Sequence, residues 1–263
     1  MSAIKQVPGA AHIVQLDQEG GPLYAAGTDH PPRTRIAPHS HDRHQLLHAL
    51  SGVLRVSTEA GHWIVPPEHA LWIPAGCVHS VGTLETVRMR SIYVRPDLVG
   101  PFDAPKVLGM TPLVRALVVE AVEIAERGES GARAAMLVDF LLHEIPRLPE
   151  QPLALPLPRT RSLLRLCQQF VAAPDVRTAL DDWADRAGMS RRSLSRHFRL
   201  ETGLGLDQWR QQALVFAALP RLIAGEAVTR VALDLGYDSP AAFSTMFRRL
   251  LGRTPQSFKP KKG

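Results

Sequence analysis

Residues 184–252 contain an imperfect internal repeat. Ala184, Gly188, Ser190, Leu194, Phe198, Arg199 and Gly203 recur as Ala232, Gly236, Ser239, Phe243, Phe247, Arg248 and Gly252. The offset is 48 at the first two positions and 49 thereafter, so one residue is inserted in the turn. Each copy reads as a helix, a glycine-containing turn, a serine cap, and a helix with apolar residues at i and i+4. Glycine permits the positive φ of the turn, and a serine hydroxyl accepts from first-turn amides. That order is the pattern of a helix-turn-helix, here present twice.

The outer face of the first second-helix is basic. Leu194 and Phe198 form its buried stripe, which turns Arg192, Ser195 and Arg196 outward at three- and four-residue spacing. An arginine fork fits guanine O6 and N7, and a reading helix offers its N-terminal residues to base edges. The second copy carries Ala241, Ser244 and Thr245 outward, with only methyl and hydroxyl groups to offer, so it reads less sequence. Thr229, Arg230, Arg248 and Arg249 are its candidate phosphate contacts. Arg191 and Arg199 complete the candidate set on the first helix. Charge is segregated in the same sense. From Arg159 onward there are 18 basic and 9 acidic residues, a net of +9, against 13 and 16 in the first 158 residues, a net of −3. Only the back half is suited to a polyanion.

The run from Val228 to Pro255, Val-Thr-Arg-Val-Ala-Leu-Asp-Leu-Gly-Tyr-Asp-Ser-Pro-Ala-Ala-Phe-Ser-Thr-Met-Phe-Arg-Arg-Leu-Leu-Gly-Arg-Thr-Pro, resembles the signature of the AraC/XylS family of bacterial transcription regulators. The resemblance extends from about Arg159 to the C-terminus. It implies two helix-turn-helices joined by a long helix, here about Leu206 to Leu222, entering successive major grooves. It places Arg192, Ser195 and Arg196 at the base-contacting positions of the first reading helix, and Ala241, Ser244 and Thr245 at those of the second. Pro220 is expected to kink or break the connecting helix near its end.

The front half has a different grammar. Residues 33–95 hold short β-branched and aromatic runs such as Gly52–Thr58 and His62–Val65, separated by Ala60-Gly61, Pro66-Pro67 and Pro74-Ala75-Gly76. Many short strands at close spacing suggest a closed or sandwiched all-β unit. A helical stripe follows at Leu113, Leu117, Ala121 and Ile124, then a second apolar run from Ala135 to Ile145. Four prolines between Leu148 and Pro158 exclude helix and central strand and mark a semi-rigid linker. The fold class read from these patterns is two-domain α+β. It comprises a sensor barrel at 1–105, a helical segment at 106–148, a linker at 149–158 and an all-α reader at 159–263.

Nine of the eleven histidines lie between His12 and His79. His39 and His41, two apart, face the same way on a strand, and His79 follows the turn Pro74-Ala75-Gly76-Cys77-Val78. This arrangement resembles the cupin barrel over about Arg33 to Val94. The resemblance puts His39, His41 and His79 on the metal-ligand positions and Gln45 where cupins carry a glutamate. An amide removes a formal charge and a strong oxygen ligand, which argues against oxygen chemistry. Three imidazoles still suit one divalent zinc, nickel or copper ion. A metal-free barrel, whose histidines bond one another or line an organic-ligand pocket, remains open. His44 and His48 are expected to be exposed and without a role, and Trp63 and Trp72 to be core or pocket wall.

An apolar content of 45%, with 21% charged residues, fits a globular chain. No stretch approaches a membrane span, and no secretory pattern opens the chain. Cys77 and Cys167 form no pairing motif, as expected in a reducing cytoplasm. The expected function is a sequence-specific regulator and not an enzyme, whose barrel senses a small-molecule effector and controls double-stranded DNA binding. The family resemblance adds homodimerisation through residues 106–147 and RNA polymerase as a partner, with no membrane partner. A cupin-type metal-dependent enzyme with a basic DNA-binding appendage is the alternative.

Overall fold

The computed structural model describes residues 14–15, 21–83, 85–100 and 103–259. The chain divides into two compact units, residues 1–58 with 63–151 and residues 59–62 with 152–263. Among the described residues no helix is long and apolar enough to cross a membrane.

The first unit is built on antiparallel strands: β1 (Val14–Gln15), β2 (Leu23–His30), β3 (Arg35–His39), β4 (His44–Ser51), β5 (Leu54–Thr58), β6 (Gly61–Val65), β7 (His69–Ile73), β8 (His79–Thr83), β9 (Val87–Val94) and β10 (Lys106–Gly109). The proline-rich segment adds β11 (Glu150–Gln151) and β12 (Ala154–Pro156). One sheet runs β1-β2-β9-β4-β7-β10-β11 and the other β12-β6-β5-β8-β3. Both proline-bounded strands sit at sheet edges, where a missing N–H leaves no ladder bond unmade. The β region is wider than expected on both sides. β2 pairs with β9 over its whole length, from Leu23 opposite Val94 to His30 opposite Val87. Its Leu-Tyr-Ala-Ala-Gly sequence is poor in β-branched residues. Lys106–Gly109, expected in the helical segment, pairs with β7, and the helix starts only at Pro112 behind its Thr111 cap.

Two helices, α1 (Pro112–Glu126) and α2 (Ala132–Glu144), cover one face of the larger sheet. Thr111 Oγ1 accepts from Val114 N–H at 3.1 Å, and proline occupies the first helical position. The buried residues of α1 are Val114, Val118, Ala121, Val122, Ile124 and Ala125, so the expected Ala121 and Ile124 lie inward, Leu117 packs against the same core, and only Leu113, 45% exposed, lies off it. Contact with the sheet broadens the stripe to Val114 and Val118 on the neighbouring row of the helix. Small residues bring helix and sheet close: a Cβ on Gly27 of β2 would stand 2.9 Å from Val122 Cγ1. Successive side chains of β9 point to opposite faces, and Ile92 and Val94 pack into this helix-covered core.

From Arg161 onward the second unit is helical: α3 (Arg161–Ala172), α4 (Leu180–Ala187), α5 (Arg191–Thr202), α6 (Leu206–Ile223), α7 (Val228–Asp234) and α8 (Pro240–Leu251), with a 3-10 turn at Pro255–Phe258. Both expected turns are present. Gly188 and Gly236 have φ of 66° and 83°, and Ser190 and Ser239 each cap the following helix through a bond of 3.2 Å. Phe170, Trp183, Phe198 and Trp209 form an aromatic core beneath the first helix-turn-helix, with centroids 5.7–6.4 Å apart. Tyr237, Phe243, Phe247 and Phe258 form a chain of ring contacts at 5.5–5.6 Å in the second. Pro220 lies in the last turn of α6, which continues three residues further to Ile223.

Candidate functional site

Three imidazoles converge in the first unit. The ladder between β3 and β8 sets His39 directly opposite His79. His41 lies beyond the end of β3, so strand alternation does not bring it in. Its carbonyl accepts from Gly76 N–H at 2.7 Å, which ties its turn to the proline-glycine turn ahead of His79. Ring centroids are 4.3 Å apart for His39 and His79, 4.9 Å for His39 and His41, and 5.3 Å for His41 and His79. One ligand nitrogen from each lies within 4.8 Å of the others.

Hydrogen bonding fixes the tautomers. A carbonyl only accepts, so His39 Nδ1 donates to Ala37 O (2.8 Å) and His79 Nδ1 to Cys77 O (2.9 Å). In the neutral ring each Nε2 then carries the lone pair. Nε2 of His41 and of His79 is buried with no hydrogen-bond partner. Burial, helped by the neighbouring imidazoles, holds His41 and His79 down at about 4, so both are neutral at pH 7. Neutral imidazoles oriented through the far nitrogen are what a divalent ion requires.

Gln45 is 3% exposed, and its Nε2 donates to Ser91 Oγ and Tyr93 Oη at 3.1 Å each. The Tyr93 ring meets His41 edge-on at 5.0 Å, placing Gln45 beside the histidines but behind a tyrosine. Its Oε1 is buried and unpartnered. The expectation for His48 is overturned. It is fully buried on the opposite face of β4, donating through Nδ1 to His69 O at 2.7 Å. Strand alternation places it, since Gln45 and His48 differ by an odd number of residues. His44 is half-buried and accepts from Ala75 N–H at 3.0 Å, so it too supports the turn. Trp63 and Trp72 are buried, as expected.

In the second unit, α5 exposes Arg191, Arg192, Ser195, Arg196 and Arg199, while Leu194 and Phe198 are buried. Arg191 forms a two-pronged ion pair with Asp181 of α4, which holds it at the start of the helix. Among the described residues, Arg192, Arg196 and Arg199 make no ion pair. On α8, Ala241 and Thr245 are exposed and Ser244 half-buried; Arg248 and Arg249 are exposed, and Arg249 donates to Gln211 of α6 at 2.7 Å. Thr229 and Arg230 are exposed at the start of α7. Sequence reading missed Arg210, 8% exposed on α6, because a lone arginine in an amphipathic helix carries no signal of burial.

Two family models match, an AraC-like ligand binding domain over residues 22–127 and a helix-turn-helix domain over residues 183–261. The HTH-type transcriptional regulator NimR of Escherichia coli K12 is 35% identical over 88% of this chain and 83% of its own length. The chain belongs to the AraC/XylS family. The chain is also 37% identical to the regulatory protein SoxS of Escherichia coli K12 over 81 residues, 30% of this chain and 76% of SoxS. The DNA-binding domain of AdpA, solved with a target DNA, is 32% identical over 37% of this chain and 88% of that one, with a TM-score of 0.35. The protein is thus an AraC-family transcription regulator with an N-terminal ligand-binding domain and a C-terminal DNA-binding domain. That architecture supports the regulator reading over the enzyme alternative.

Proposed function

We propose that the protein is a sequence-specific regulator without catalytic activity, acting in the cytoplasm, whose barrel binds a small-molecule effector and one divalent metal ion. His39, His41 and His79 hold the ion through Nε2, with Gln45 as a neutral neighbour in place of a carboxylate. Zinc, nickel or copper would supply an electrophilic point for an effector group to bind. The observation that carries the DNA half is the outward face of α5, where Arg192, Ser195 and Arg196 are exposed and neither arginine is engaged by an acid. Arg191, Arg199, Thr229, Arg230, Arg248 and Arg249 contact phosphates, and Ala241, Ser244 and Thr245 read from α8. A homodimer forms through α1 and α2, whose Leu113, Met136 and Phe140 are 45%, 65% and 43% exposed. RNA polymerase is the further partner. Fluorescence anisotropy on DNA from beside the protein's own gene, across a salt series, tests the reading. Binding at least about 10³-fold tighter to one segment than to unrelated DNA is expected. Equal, purely salt-driven binding to both would refute sequence-specific recognition.

A further inference from the structure

The two helix-turn-helices are joined by α6, 18 residues and about 27 Å long. A single rod fixes a distance but leaves twist and bend to the helix. A second connection runs beside it. The loop 174–179, between α3 and α4, reaches the turn of the second helix-turn-helix, where Val176 N–H donates to Leu235 O at 3.0 Å. The Asp175 carboxylate, held by Arg177 N–H (2.8 Å) and Arg177 Nε (3.0 Å), lies directly on Gly236. A Cβ at Gly236 would overlap Asp175 Oδ1 and stand 2.9 Å from Arg177 Nε.

Arg210 pins this loop from α6. Its guanidinium donates to Val176 O at 3.1 Å and to Thr178 O, and stands over the Phe170 ring of α3 at 5.5 Å. The acid it pairs with, Asp207, is 3.4 Å away with a 67% exposed side chain, and Asp175 attracts it without a direct ion pair. The arginine is therefore spent mainly on two main-chain carbonyls, which a planar fork holds in fixed directions. The clasp sits close to both helix-turn-helices. α4 starts two residues after Thr178, and α8 starts four residues after Gly236.

We infer that Arg210, acting with the Asp175–Gly236 contact, is a positioning residue that fixes the relative rotation of α5 and α8. It thereby sets the number of base pairs the protein accepts between its two boxes. Arg210 touches no DNA; it works through α4, α6 and α8, and the inference rests on both helix-turn-helices being readers. Inserting one base pair rotates the second box by about 35° and moves it about 3.4 Å. A clasped pair of readers does not follow that change, whereas a pair joined by α6 alone does.

The test uses the full chain and a duplex selected from a random-sequence pool by the wild-type protein, rebuilt with one base pair added or removed between its two boxes. Wild type should lose at least about tenfold in affinity on either altered spacing. Arg210→Met should lose less than about threefold between spacings, while Arg210→Lys, which keeps a donor, restores discrimination. A merely structural role would lower affinity equally at every spacing, and that result would overturn the inference; a wild type that enriches only one box would overturn the reading of α8, and the clasp is then decided by the second measurement. The second measurement needs no DNA. Nitroxides at Leu200→Cys on α5 and Ala242→Cys on α8, in a Cys77→Ser background, should give one narrow distance distribution by pulsed EPR. It should broaden in Arg210→Met, or in Arg210→Gln if the methionine variant does not fold; equal widths overturn the inference. A sharp distribution that broadens on substitution, in a protein that selects no paired boxes, would locate the failure in the reading of α8 and not in the clasp.

Discussion

His48 gives this protein a calculable sensitivity to acid. It is fully buried, donates one bond to His69 O, and its Nε2 has no hydrogen-bond partner. Burial is the main cause that holds it down at about 4; the His69 bond opposes this, and the charges of Arg115 on α1 and Arg90 on β9 add to it, with His69. In the unfolded chain the same ring titrates near 6.5. Between those values the unfolded state binds a proton that the native state refuses, so stability is lost as pH falls. For a gap of about 2.5 units the loss attributable to His48 reaches roughly 2.5 kcal/mol by pH 4.5 and approaches about 3.4 kcal/mol below pH 4. At about 2 kcal/mol per molar urea this moves the unfolding midpoint by roughly 1 M. His48→Asn keeps a donor near the Nδ1 position and removes the titration. Urea unfolding of the chelated full chain, followed by tryptophan emission from pH 7.5 to 4.5, should show the variant less stable at pH 7.5 yet losing less on acidification. Parallel pH profiles would refute the argument, because His41 and His79 titrate in both proteins and cancel in the comparison.

Arg196→Ala should relax base preference at one position by about 1–3 kcal/mol. Arg191→Ala, tied to Asp181, should instead weaken all sequences alike and shallow the salt slope; anisotropy on single-base variants separates the two. His39→Ala with His41→Ala should abolish metal uptake, read by elemental analysis after gel filtration, while DNA binding by the second unit survives. Loss of that binding as well would undo the division of labour between the units. Met136→Glu with Phe140→Glu should convert a dimer to a monomer by light scattering, and an unchanged mass would remove α2 from the interface.

Much of the second unit was legible because its signals are local. A glycine turn and a serine cap act within four residues, and their repetition at a fixed offset multiplies the evidence. The histidine cluster was legible in its members but not in its geometry: His41 arrives through a turn tied to Gly76, not through strand alternation. The exposure of Leu113 on α1, the place of β2 and β10, and the burial of His48 were not legible. Each is decided by what lies across the sheet, and a residue pattern with helical or strand period does not specify its partner. Arg210 was silent for the same reason, since its value comes from carbonyls more than thirty residues away.

β9 is a partition between two environments. On one side Ser91 and Tyr93 meet Gln45, and Tyr93 meets His41; on the other Ile92 and Val94 lie in the apolar core with α1 and α2. Its thickness is that of one extended backbone. A disturbance entering on the imidazole side therefore needs no relay of intermediaries, since the same peptide groups that register it form the floor on which the helices rest.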